Sequence, residues 1–310
     1  MINGKYKIAI IGAGYMAEEY LKVFSHKKIH CEAIFSRTLS KSKILKKKYN
    51  IKKVYRSLDD LKNDNQINAL IIAVNAESTR NLINNLDINK YRILCEKPVG
   101  INFEETKKII SKIKNKYFFV GLNRRFYSSN LKAQNLINKS KSERLISIRD
   151  QEVQSSKNSK NYNNNLMYTN SVHLIDYINI YARGKLLKIQ RLKKFKNEKF
   201  SEHLIRLIFS SKDEVLYHCN WNSPGPWSVN IIQKNYRIEM KPLENLVQEK
   251  LIKNKRTITY YNKSKIDCIL KPGLSLEVSE FLKMLNNKKH KLVNLNDYFN
   301  TVKLIKKIYV

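Results

Sequence analysis

Two short stretches of the chain combine residue types that chemistry uses with the spacing it needs. The first is Gly12-Ala13-Gly14-Tyr15-Met16-Ala17. In such a turn the first glycine permits a tight bend, and the second lets the backbone approach a pyrophosphate. The small sixth residue lets the following helix pack closely on its strand. The free N–H groups of that helix then face the phosphates. The pattern reads as a dinucleotide site when a strand precedes it and a helix follows. Here the apolar run 6–11 precedes it, and residues 15–26 follow with helical spacing of Met16, Tyr20, Leu21, Val23 and Phe24. The second stretch is Cys95-Glu96-Lys97-Pro98. A lysine at the carboxyl end of a strand can donate to a substrate hydroxyl and stabilise the alkoxide that develops as hydride leaves. Pro98 stiffens the turn beneath it.

The choice of dinucleotide is read about 20 residues beyond the glycine turn, at the end of the second strand. An NAD site offers a carboxylate there to the ribose hydroxyls. This chain has Ser36-Arg37-Thr38 instead. An arginine flanked by hydroxyls suits a 2′-phosphate, so NADP is expected over NAD.

The elements that must position these groups follow from the apolar pattern. Residues 6–11, 31–35, 69–74, 91–95 and 117–120 are short apolar runs, expected as five buried strands. Helices are expected between them, near 15–26, 40–49, 78–85 and 103–115. This alternation predicts a doubly wound parallel sheet of Rossmann type over residues 1–121. Beyond it the texture changes. Helices are expected at 129–140 and 170–182, with an asparagine-rich loop at 155–165 between them. Strands follow near 144–153, 186–194, 203–210 and 214–221, with further ones at 228–240 and 256–261. Consecutive strands predict a mostly antiparallel sheet in an α+β domain, residues 122–310, closed by helices at 276–285 and 297–308. The overall class is therefore α/β, with a second α+β domain.

Composition narrows the function classes. Sixty Lys and Arg stand against 26 Asp and Glu, a formal charge of +34. The lysines are scattered in short groups, with no zinc-finger spacing and no RNA-binding aromatic signature. They read as a compositional bias that mildly favours phosphate-bearing ligands, and no nucleic-acid partner is expected. No apolar stretch is long enough to span a membrane. The amino terminus leads straight into a strand without a cleavage site, so a cytoplasmic protein is expected. Four cysteines without a CxxC pair read as reduced thiols, and no cluster of metal ligands is visible. Trp221, Pro224, Gly225, Pro226 and Trp227 form an aromatic turn, read as packing with a sugar-lining role as the alternative.

Taken together, the glycine turn, the Glu96-Lys97-Pro98 motif, the segment Gly121-Leu122-Asn123-Arg124-Arg125-Phe126 and the pair His173-x-x-Asp176 resemble the Gfo/Idh/MocA oxidoreductases. The resemblance runs over nearly the whole chain and is strongest in the first 126 residues. It implies a nicotinamide-dependent enzyme acting on a sugar, polyol or sugar-nucleotide, in keeping with surface-polysaccharide sugar metabolism. Lys97 and His173 are its implied catalytic pair. The implied cofactor site comprises Gly12, Gly14, Tyr15 and Met16, then Ser36, Arg37 and Thr38. Val74, Asn75, Glu96, Lys97 and Asn123 complete it. The implied substrate contacts are Lys97, Arg124, Arg125, Tyr168, Thr169, Asn170 and His173. A homodimer or homotetramer is implied as well. Members often carry an aspartate four residues before the histidine and glycines before that. Here these positions hold Thr169 and Asn163-Asn164-Asn165, and the proline after the third strand is replaced in Val74-Asn75-Ala76-Glu77. A hydroxyl cannot carry a carboxylate's charge, so a cofactor-binding sensor or scaffold with little turnover is the alternative to an enzyme.

Overall fold

The computed structural model describes residues 6–153, 164–196 and 201–309. Most of the asparagine-rich loop, residues 155–163, lies outside them. The chain divides into two compact units. Residues up to Asn123 join Ile269–Asn300, and Arg124–Cys268 join the chain from Thr301 onward. The division expected at 121/122 follows chain order, and a segment that returns to its first unit 145 residues later escapes such a reading.

The first unit holds a seven-stranded sheet. Its parallel strands are β1 (Ile8–Ile11), β2 (Ala33–Phe35), β3 (Lys53–Tyr55), β4 (Ala69–Ile72), β5 (Arg92–Glu96) and β6 (Phe118–Gly121). Their spatial order is β6-β5-β4-β1-β2-β3, and Val293–Asn294 pairs antiparallel on the outer edge of β6. β1 and β4 are buried at every position, as their unbroken apolar sequences require in a sheet covered on both faces. The direction of winding reverses between β1 and β4, which creates a crevice at their carboxyl ends. The run expected as third strand is β4, because the edge strand β3 and the helix Leu58–Asn63 precede it. Lys53 and the neighbouring polar residues hide that strand from an apolar pattern.

The second unit holds an eight-stranded sheet. Its strands are β7 (Leu145–Asp150), β8 (Leu186–Lys196), β9 (Ser201–Phe209), β10 (Glu214–Trp221), β11 (Ser228–Gln233), β12 (Tyr236–Met240), β13 (Leu246–Ile252) and β14 (Lys255–Tyr261). The order is β14-β13-β12-β11-β7-β10-β9-β8, antiparallel throughout except for the β7–β10 pair. In β10 the buried residues Val215, Tyr217, Cys219 and Trp221 alternate with half-exposed ones. β13 was not expected, because Gln248-Glu249-Lys250 interrupts its apolar residues.

The helix Val172–Tyr181 carries His173, and its far end is fixed by one carboxylate. Asp213, fully buried, accepts from Arg183 Nε at 2.8 Å and Arg183 Nη2 at 2.6 Å. It also accepts from the N–H groups of Arg183 and Arg144, each at 2.9 Å. The end of the helix, the start of β7 and the β9–β10 turn thus meet on one side chain. Burial acts to raise the Asp213 carboxyl, but the Arg183 guanidinium and the two N–H groups hold it below its ordinary value. Asp213→Ala should cost about 3–5 kcal/mol, since it leaves a guanidinium and backbone donors unpaired. Chemical denaturation measures this, and an unchanged midpoint would refute the role.

Candidate active site

The two glycines of the nucleotide turn are required for different reasons. Gly12 has φ +122°, and a Cβ there would stand 2.3 Å from the carbonyl oxygen of Ala73. Its N–H donates to Phe35 O at 2.7 Å. The turn is thus wedged between the ends of β2 and β4, where only glycine fits. A Cβ on Gly14 would meet nothing within 4 Å, so packing leaves the space beside this glycine open to a ligand. Gly14 starts the helix Tyr15–His26, whose first turn has no side-chain cap. Its first N–H groups are therefore available to an anion, and Ala17, fully buried, lets the helix lie close. These features fit a pyrophosphate.

At the end of β2, Ser36 Oγ donates to Thr38 O at 2.9 Å and accepts from Ser42 Oγ at 3.0 Å. Arg37 is exposed and makes no ion pair among the described residues. Thr38 opens the helix Leu39–Tyr49 without capping it, and the first turn carries no acid. Beyond β4, Val74 is half-buried beside Gly12, and Asn75 Oδ1 accepts from Ser78 N at 2.9 Å, capping the helix Ala76–Asn85.

β5 delivers Glu96 and Lys97 at its carboxyl end. Lys97 is half-buried, and the Lys97–Pro98 bond is cis. Glu96 points into the unit. The Tyr20 hydroxyl donates to Glu96 Oε1 at 2.8 Å and lies 3.2 Å from Glu277 Oε2. Tyr20 and Glu277 are fully buried. One phenolic proton cannot serve two carboxylates. Burial raises both acids, and the neighbouring Glu96 drives Glu277 well up. Glu96 is pulled back by the Tyr20 hydrogen bond and by the charges of Lys97 and Lys271. Tyr20 keeps its proton, and Glu277 is therefore the acid that binds a proton from solvent first. Asn123, also buried, donates from Nδ2 to Pro272 O at 3.0 Å.

In the second unit, Leu166–Thr169 forms a helical turn that leads into Val172–Tyr181. Tyr168, Thr169 and His173 are buried. Asn170 donates to Glu152. Asp150, at the end of β7, accepts from the Tyr217 hydroxyl, which lies 2.7 Å from that of Tyr309. Burial pushes Asp150 up to about 6, against the pull of Ser171, Tyr217 and Arg124. The Arg124 guanidinium stacks 4.2 Å over Trp227, while Trp221 is buried against Tyr309. Arg125 grips Asp176 through Nε at 2.5 Å and Nη2 at 2.6 Å, and Thr301 Oγ1 donates to the same carboxylate at 2.9 Å. Two donors of Arg125 are thus engaged within the fold, and Asp176 is buried.

The first unit thus gathers Gly12, Gly14 and Tyr15 at one crevice end and Glu96 and Lys97 at another. The second gathers Tyr168–His173 beside Asp150 and Glu152. Tyr20, Glu277, Asp150 and Lys271 escaped sequence reasoning. Among the described residues no group of side chains could hold a metal, and no helix is long and apolar enough to cross a membrane.

A model of the oxidoreductase family with an NAD-binding Rossmann fold, GFO_IDH_MocA, matches residues 6–123. This domain belongs to the Gfo/Idh/MocA family. The trans-1,2-dihydrobenzene-1,2-diol dehydrogenase of Mus musculus is 25% identical over 114 residues, 36% of this chain. That match spans 34%, about a third, of the mouse protein's length. The fold as a whole is similar to that of a levoglucosan dehydrogenase in complex with NADH, with TM-score 0.80 and 13% identity over 98% of this chain and 95% of that one. It is also similar to the UDP-N-acetylglucosamine 3-dehydrogenase of Acidithiobacillus ferrooxidans, with TM-score 0.77 and 11% identity over 97% and 96%. Both likenesses extend over nearly the whole chain and are likenesses of fold.

The proton on Glu277 has a measurable consequence. Glu277 keeps its proton in the folded protein at pH values where the unfolded chain has lost it, above about pH 4.5. The native state then binds more protons, so stability falls as pH rises through that range. Glu277→Gln keeps a hydrogen-bonding amide and has no proton to lose. Melting temperatures measured from about pH 5 to 8 should decline less steeply in the variant. Equal slopes would mean that Glu277 is ionised when folded.

Proposed function

We propose that this protein is an NAD(P)-dependent oxidoreductase that transfers a hydride between nicotinamide and a carbon bearing a hydroxyl of a sugar, polyol or sugar-nucleotide. The observation that carries the reading is the pairing, in one Gfo/Idh/MocA domain, of an open glycine turn at Gly14 with Lys97 at the carboxyl end of β5. Gly14, Tyr15 and Met16 hold the pyrophosphate on the uncapped helix start. Ser36, Arg37 and Thr38 receive a 2′-phosphate, so NADP is preferred to NAD. When bound, the dinucleotide supplies the hydride donor or acceptor. Lys97 polarises the reacting oxygen, and His173 takes or gives the hydroxyl proton. Arg124, beside Trp227, and the Tyr168–Asn170 run contact the substrate. The sugar-type substrate is supported by the levoglucosan and UDP-N-acetylglucosamine dehydrogenases of the same fold. Assembly through the second sheet, as a dimer or tetramer, is supported by the exposed Leu187 and Leu192 of β8 and Ile258 and Tyr260 of β14. The buried Thr169, where a carboxylate is missing, favours a second reading, a cofactor-binding protein with little turnover.

Purified protein, supplied with NADP+ or NADPH and challenged with polyols, sugars and sugar-nucleotides, should change nicotinamide absorbance with at least one of them. Lys97→Ala should lower that rate about 10²- to 10⁴-fold, and undiminished turnover would refute the assignment of Lys97. Cofactor binding without turnover would favour the second reading. Arg37→Ala should weaken NADPH about tenfold and leave NADH unchanged. Tighter binding of NADH than of NADPH by the native protein would overturn the cofactor preference.

A further inference from the structure

Lys271 lies where the chain has returned to the first unit, just before the helix Leu274–Leu285. Its Nζ stands 5.1 Å from the centroid of the Tyr15 ring. Tyr15 is the first residue of the helix that opens on the glycine turn, and it is 65% exposed. Helical side chains lean toward the amino terminus, so this ring and the ammonium over it are directed toward the end of the helix that bears the uncapped N–H groups. The same ammonium acts electrostatically on Glu96, at the end of β5. β4 lies between β1 and β5, so one cation addresses both sides of the crevice at the switch point. Its backbone is held in place. Asn123 Nδ2 donates to Pro272 O at 3.0 Å, the Leu274 N–H donates to Lys271 O at 3.1 Å, and Gly273 takes the left-handed conformation with φ +75°. Lys271 makes no salt bridge among the described residues and is partly exposed. A fixed cation without a carboxylate contact, beside an anion-seeking turn, is matched by a phosphate group.

We propose that Lys271 binds the pyrophosphate of the dinucleotide, with Asn123 as the residue that positions its backbone. The proposal rests on the nucleotide-binding reading above. Because the pyrophosphate is common to both cofactors, the lysine differs in effect from Arg37. Titration of NADPH and of NADH fluorescence by the full-length protein separates the two. Lys271→Met should raise both dissociation constants by the same factor, about tenfold. Lys271→Arg should keep them within a few-fold. Lys289→Met removes the same charge from an exposed site elsewhere in this unit and should change neither. Asn123→Ala should weaken binding in the native background and have no further effect beside Lys271→Met, a coupling that a purely structural role does not produce. An unchanged affinity in Lys271→Met, or a change confined to NADPH, overturns the proposal and leaves the nucleotide-binding reading intact. Failure of the native protein to bind either nucleotide removes both.

Discussion

The backbone at Gly12 sits so close to the Ala73 carbonyl that no side chain fits, and much of the first unit depends on that contact. It lets β1 turn out of the sheet between β2 and β4, where the winding reverses. The turn sets the direction of the helix Tyr15–His26, and that helix carries Tyr20 inward to Glu96. Glu96 immediately precedes Lys97, so the orientation of a helix launched at β1 bears on the residue delivered by β5. A Cβ at Gly12 would displace either the β4 carbonyl or the helix, with the effect transmitted along this path. Gly14 has no such duty, and its lack of a side chain leaves room for something other than protein.

The charge balance shows how sparingly carboxylates are used. Against a background of +34, acids are scarce, yet Glu96, Asp150, Asp176, Asp213 and Glu277 are all buried. What each one does follows from its partner. Asp213 faces a guanidinium and two backbone donors, which fix its negative charge and tie chain segments together. Asp150 and Glu277 face phenolic hydroxyls instead. A phenol stabilises a carboxylate less than a cation does, so burial dominates and both acids rise. The guanidinium-paired acid is a fixed anchor, while the phenol-paired acids can hold a proton near neutral pH.

The buried strands were legible because β1 and β4 are unbroken apolar runs. β3 and β13 were not, since an edge strand or a strand with a solvent-facing side tolerates Lys53 or Glu249-Lys250 in place of a pattern. The glycine turn was legible because its chemistry is local. The Tyr20–Glu96–Glu277 cluster joins residues 76 and 257 positions apart, a proximity that no local pattern encodes. A weaker signal was present all the same. Glu277 shares the apolar face of its helix with Leu274, Val278 and Phe281. Asp150 continues the buried alternation of Ile146 and Ile148. A lone acid on an otherwise apolar face must find a partner or a proton, and both do.

The same reasoning bears on Thr169. A missing carboxylate at that position suggests a segment stripped of negative charge, but the strand beside it supplies acids. Asp150 and Glu152 are two residues apart and both buried, consistent with one face of an extended chain. Ser171 acts to lower the Asp150 carboxyl, and Glu152 accepts from Asn170. The turn between Thr169 and His173 is therefore lined by carboxylates from outside its own helix. A comparison confined to the helix motif misses these two carboxylates at and beyond the end of β7.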